Sequence, residues 1–269
     1  LTPSAERLCA ATRAWLDEPR SGPLVLGLCG SQGSGKSTLA QAIVTQMEAD
    51  GRRAAVLSLD DLYLGRAERA QLAEAVHPLF ATRGVPGTHD AAAGIALLDA
   101  VRAGKATTLP RFDKARDEPA EQGTAVPPNL DLLIFEGWCV GARPQSLAEL
   151  AVPVNALERD EDAGGVWRGH ANAQLGDIYA LLFARIDRLV LLAAPGFEVV
   201  RGWRGQQEHA LRTSIARGEA EGTRVMDEAA LDRFVQHYER ITRHILIEMP
   251  PRADLVLALA PDRSIRELS

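Results

Sequence analysis

The sequence predicts an α/β fold, with a mainly parallel five-stranded sheet flanked by helices, from three observations. Five short apolar runs recur along the chain, helical patterns separate them, and a glycine-rich loop joins the first run to the next helix. The runs are 24–29, 54–59, 130–135, 189–192 and 255–259. Apolar runs without alternation suit strands buried on both faces, as in a doubly wound sheet.

Taken in order, residues 1–20 read as an amphipathic N-terminal helix; a signal peptide would need a continuous apolar core. The first strand run leads into Gly30-Ser31-Gln32-Gly33-Ser34-Gly35-Lys36-Ser37-Thr38, the spacing of a P-loop. Glycines let successive backbone N–H groups turn inward around an anion, where a Cβ would block the approach. Lys36 supplies a point charge for the outer phosphates, the Ser37 hydroxyl can ligate Mg²⁺, and the following helix adds its positive dipole end. Leu39, Ile43 and Met47 give that helix an apolar face. The stretch 30–38 therefore marks a nucleoside triphosphate site within a P-loop NTPase fold.

Ligands of such sheets bind beyond the carboxyl ends of the strands. The second run ends in Asp60 and Asp61, with Tyr63 close behind, where one carboxylate can take a proton and another can hold Mg²⁺ or its waters. The third run ends in Glu136, the Walker B position, expected to hold Mg²⁺. The guanine-reading Asn-Lys-x-Asp tetrapeptide is missing, as is the Asp-Glu pair of many motor ATPases. Two polar loops, 83–90 with Arg83, His89 and Asp90, and 109–116 with Arg111, Asp113 and Lys114, are dense enough in charge to suit a small anionic or polyhydroxy substrate. Within 195–217, Arg201, Arg204, Glu208 and Arg212 share a helical face, and two glycines suit a mobile lid. Leu231, Phe234, Tyr238, Ile241 and Ile245 form the core-facing stripe of a long late helix.

No linker or charge block divides the 269 residues, so a single P-loop domain over 1–269 is expected. Net charge is −6 and basic residues form no run, which argues against nucleic acid and anionic membrane partners. No stretch approaches the ~20 apolar residues of a membrane span. Cys9, Cys29 and Cys139 lack metal-type spacing and suit a reducing, cytoplasmic setting. Oligomeric state is not encoded in any pattern found.

Together, the P-loop, SLDDLY, RGVPGTHD, LPRFDKA, FEGW, PVN and WRGQQE resemble the D-glycerate 3-kinase family, a group of P-loop kinases related to uridine kinase, pantothenate kinase and phosphoribulokinase. The resemblance runs from about residue 24 to the C-terminus. It implies an ATP- and Mg²⁺-dependent kinase acting on a hydroxyl of a small metabolite, with D-glycerate as the leading acceptor. It implies Asp60 as general base, with Lys36 and the lid arginine Arg204 stabilising charge and Arg201 and Arg212 in support. Ser37 and Glu136 would serve Mg²⁺. Asp61, Tyr63, Arg83, His89, Asp90, Arg111, Asp113 and Lys114 would build the acceptor site. Asn155 falls on a family motif without an assigned role, and Pro261-Asp262-Arg263 would lie near the adenine. The chain departs from the pattern at Ala115-Arg116-Asp117-Glu118-Pro119, where relatives carry a glycine-rich stretch. The alternatives are a kinase for a nucleoside or pantothenate-like alcohol, and a nucleotide-dependent regulatory ATPase.

Overall fold

The computed structural model describes residues 2–217 and 226–266. All five expected strands join one sheet: β1 (Leu24–Gly30), β2 (Ala54–Ser58), β3 (Leu132–Gly137), β4 (Arg188–Ala193) and β5 (Leu255–Ala258). Their order is β2-β3-β1-β4-β5 and every neighbouring pair is parallel. The third strand lies two residues later than its apolar run suggests. Glu136 thus sits inside the ladder, in register with Ser58 of β2 and Leu28 of β1, rather than after it.

The helices are α1 (Pro3–Asp17), α2 (Lys36–Ala49), α3 (Arg66–Ala75), α4 (Ala91–Arg102), α5 (Ala156–Glu161), α6 (Val166–Gly176), α7 (Ile178–Phe183), α8 (Glu198–Ala216) and α9 (Glu228–Glu248), with a shorter turn at Leu147–Leu150. Alternate strand residues feed opposite layers. Leu26, Leu28, Ile134, Val190 and Leu192 pack with Leu8 and Cys9 of α1, Ile43 and Met47 of α2, and Trp203 of α8. Val25, Leu133, Phe135 and Leu191 pack with Leu98 of α4, Tyr179 and Leu182 of α7, and Tyr238, Ile241 and Ile245 of α9. Each fully buried aliphatic side chain contributes about 1.5–3 kcal/mol, so the two layers together hold the sheet edge rigid. The α9 stripe is core packing, with Leu231 joining Phe197 and Val200 instead of the main layer.

Residues 109–116, which read as a polar loop, fall within two small antiparallel ladders: Thr107–Leu109 with Thr124–Val126, and Phe112–Asp113 with Glu118–Pro119. The inner turn is closed by Asp113, whose Oδ1 accepts the N–H groups of Ala115 and Arg116. Asp117 takes φ 61° there, and its N–H donates to the Asp113 carbonyl. Among the described residues, no helix is long and apolar enough to cross a membrane.

Candidate active site

The loop after β1 has the conformation that its glycines permit. Gly33 and Gly35 lie at φ 77° and 88°, and Gly35 opens α2 as its left-handed N-cap. A Cβ on Gly33 would meet Trp203 Cβ at 2.5 Å, so this glycine also admits α8 against the loop. The Ser31 and Ser34 hydroxyls, the Gln32 amide oxygen and Glu136 Oε2 are buried without hydrogen-bond partners. Orphaned polar atoms in a glycine loop at a helix N-terminus are what a polyphosphate and its cation would satisfy. Ser37 Oγ donates to Glu136 Oε1 at 3.1 Å, and Lys36 Nζ lies 3.9 Å from Glu136 Oε2. Among the described residues no cluster of three His, Cys, Asp or Glu could cage a metal. Ser37 and Glu136 fit Mg²⁺ instead, which prefers one or two protein oxygens together with phosphates and waters.

Beside this loop, β2 runs into a 3-10 turn, Leu59–Leu62, that turns both aspartates out at the strand end. Asp60 accepts from Tyr63 Oη at 3.0 Å and from Lys114 Nζ at 2.6 Å. Burial works against its charge, but Lys114 and Lys36 outweigh burial and hold the carboxyl well below the usual carboxylate range. Asp60 is therefore an ionised acceptor near neutral pH. Burial and then the Asp60 charge push the Tyr63 phenol up, so it stays a donor. Asp61 faces the hairpin: Arg111 Nη1 donates to it at 2.7 Å and the Phe112 N–H at 3.1 Å. Asp61 and Arg111 thus anchor the segment that delivers Lys114.

The loop at 83–90 supplies a third wall. Arg83 pairs with Asp117 and lies over the Phe112 ring at 5.4 Å. The same Asp117 accepts from Arg69 Nη2 at 2.5 Å, and Arg69 is only 1% exposed. His89 is buried and stacks on Tyr63, ring centroids 4.4 Å apart. Burial pulls its pKa down to about 3, so the imidazole is neutral near pH 7. Asp90 and Asp113 have other occupations. Asp90 caps α4 by accepting the Ala93 N–H at 2.8 Å, and Asp113 closes the hairpin turn. Asn155 caps α5 through the Glu158 N–H and donates to the Gln236 carbonyl of α9, which gives this residue a structural role.

The arginines of α8 do not face the P-loop in this structure. Arg201 pairs with Glu228 and Asp232 of α9. Arg204 pairs with Glu208 and lies over Phe234 at 5.4 Å, and Arg212 donates to the Met226 carbonyl. Opposite charges one turn away, or on the neighbouring helix, capture guanidinium groups before a distant loop can. Trp203 makes the contact with the loop instead. Its Nε1 donates to the Pro261 carbonyl, and Arg263, stacked over its ring at 5.2 Å, donates to the Gly33 carbonyl. Sequence reasoning assigned no role to Trp203, Asp117 or Tyr179, although Trp203 opens the WRG pattern and Asp117 lies in the stretch that departs from the family pattern.

Comparison with known proteins fits this geometry. A family model described as methylmalonyl Co-A mutase-associated GTPase MeaB matches residues 13–62, the stretch that holds the P-loop and β2. The uncharacterized kinase mug58 of Schizosaccharomyces pombe is 36% identical over 233 residues, covering 82% of this chain and 80% of that protein. The chain belongs to that family of P-loop kinases. The chloroplastic D-glycerate 3-kinase of Arabidopsis thaliana, 27% identical over 228 residues, falls in the same group; the match covers 80% of this chain and 46% of that protein. The solved D-glycerate 3-kinase of Cryptococcus neoformans shares the fold, with a TM-score of 0.80 at 23% identity and 99% of each chain covered. This family member is an ATP-dependent kinase.

Proposed function

We propose that this kinase transfers the γ-phosphoryl group of ATP to a hydroxyl of a small organic acid, with D-glycerate as the acceptor, and that Asp60 takes the hydroxyl proton. The observation that carries the reading is the Asp60 carboxylate, kept ionised at a strand end beside the P-loop and oriented by Tyr63 and Lys114. Ser37 and Glu136 would hold Mg²⁺, which would supply positive charge against the charge that develops on the transferring group.

The chain's own residues do the rest. Lys36 adds positive charge at the outer phosphates, and the P-loop N–H groups hold them in place. Tyr63 and Lys114 occupy both oxygens of Asp60, so an incoming hydroxyl takes the place of one of them on the carboxylate. Lys114, on an exposed hairpin, is the group free to move away. Arg83 and Arg111 supply guanidinium donors that suit an acceptor carboxylate. Closure of 195–217 as a lid would bring Arg204 and Arg201 off their acidic partners toward the phosphates.

A small acid is favoured over a nucleoside because the aromatic rings here are already stacked. Tyr63 lies on His89 and edge-on to Phe112 at 5.4 Å, and all three rings are buried rather than offered to a base. A coupled ADP-release screen across D-glycerate, nucleosides and pantothenate tests the proposal. Turnover on D-glycerate supports it; turnover on a nucleoside with none on D-glycerate overturns the acceptor assignment. Hydrolysis stimulated only by a macromolecule would overturn the kinase chemistry itself.

A further inference from the structure

Tyr179 lies far from every motif of the sequence, on α7 and fully buried, yet its hydroxyl joins two groups of the 83–90 loop. It accepts the Gly87 N–H at 3.0 Å and lies 2.7 Å from His89 Nδ1. A phenol has one proton to give. The backbone N–H of Gly87 can only donate, so the phenolic proton has one acceptor among these contacts, the Nδ1 lone pair. The reverse arrangement, with the imidazole donating to the phenol, would strand the phenolic proton in a dry site at a cost of about 1–3 kcal/mol.

We infer that Tyr179 is a positioning residue which fixes His89 in its Nε2–H tautomer, so that His89 offers a neutral N–H to an oxygen of the acceptor bound beside Asp60. This deepens the proposed function and rests on its acceptor site. Three observations support it besides the proton count. His89 Nε2 is buried and has no hydrogen-bond partner, so a donor stands ready without its acceptor. The ring is held flat on Tyr63, whose own hydroxyl sits on Asp60, which puts the imidazole in the wall next to the base. The Asp60 charge acts on the imidazole, yet burial dominates and keeps the ring uncharged near neutrality. A neutral donor can hold an acceptor oxygen beside Asp60 without adding a second cation to compete with Lys114 for the base.

Two measurements test this, and the first needs no acceptor. Proton–nitrogen correlation spectra of the ligand-free enzyme should show the His89 proton on Nε2, and Tyr179→Phe should give a mixture of tautomers. A proton on Nδ1 in the unmodified enzyme overturns the inference, whatever the acceptor proves to be. The second compares His89→Gln, whose amide nitrogen stands where Nε2 stood, with His89→Asn, whose amide stands at Nδ1. With D-glycerate, the Gln variant should keep the acceptor KM within about threefold, while the Asn and Tyr179→Phe variants should raise it about tenfold, more than they lower kcat. An Asn variant that matches or exceeds the Gln variant contradicts the assignment. Absence of turnover on any acceptor defeats the proposed function, and the spectra still decide the tautomer.

Discussion

Lys114 Nζ stands 2.6 Å from Asp60 Oδ2, joining two residues 54 positions apart in the chain. The lysine arrives on a hairpin, the aspartate on a strand-end turn, and Asp61 with Arg111 fastens one to the other. Lys114→Met should expose the effect of burial on Asp60, because the nearest opposing charge is gone. Its pKa then rises toward or above the ordinary value. The acidic limb of kcat/KM should shift up with it, whereas the unaltered enzyme should show no such limb from Asp60 between about pH 5 and 8. The stability that Asp60 contributes is present above its unfolded-state pKa of 3.8 and is lost as pH falls through its lower folded value. An unmoved pH–rate profile in the variant would separate Lys114 from the base.

Asp117 bridges Arg69 and Arg83, and Arg69 is almost fully buried. Asp117→Asn leaves a buried guanidinium without its counter-charge and should cost about 3 kcal/mol in urea unfolding. It also frees Arg83 to drift, so KM for an anionic acceptor should rise. A change below about 0.5 kcal/mol would mean the pair is solvated in solution.

Glu136→Gln keeps the shape of the β3 end but removes the charge facing Ser37 and Lys36. Apparent Mg²⁺ affinity in the ATP-dependent reaction should fall about 10–100-fold, while metal-free nucleotide binding persists. Titration of rate against free Mg²⁺ checks this.

Gly33→Ala tests the packing of α8 on the P-loop. Its Cβ would press on Trp203 Cβ at 2.5 Å and the residue would hold φ 77°. Thermal unfolding should show a loss of about 1–3 kcal/mol, and ATP affinity should fall with it.

The sheet and the P-loop were legible because strand burial and phosphate cradling are local demands. Residues 24–38 carry both in one continuous stretch. Glu136 was found by its place after an apolar run, although it lies inside the strand, since hydropathy cannot see a ladder continue through a charge. The 111–119 hairpin escaped notice because its ladder pairs only two residues per strand and its anchors, Asp60, Asp61 and Arg83, come from earlier segments. Asp90 and Asp113 belong to motifs, but a carboxylate that caps a helix or closes a turn reads like one that faces a ligand. Helical spacing grouped the α8 arginines and Glu208, the partner of Arg204; the partners of Arg201 on α9 lie about 30 residues on, beyond any periodic pattern. Tyr179 gave no signal at all, its role arising from a contact spanning 90 residues.

Asp60→Asn tests the central claim most directly. The substitution keeps the size and one acceptor oxygen while removing the charge, so ATP binding measured by calorimetry should persist. ADP release with D-glycerate should fall by about 10²–10⁴-fold, the range a positioned general base supplies. Near-full turnover in this variant would contradict the assignment of Asp60 as the group that takes the hydroxyl proton.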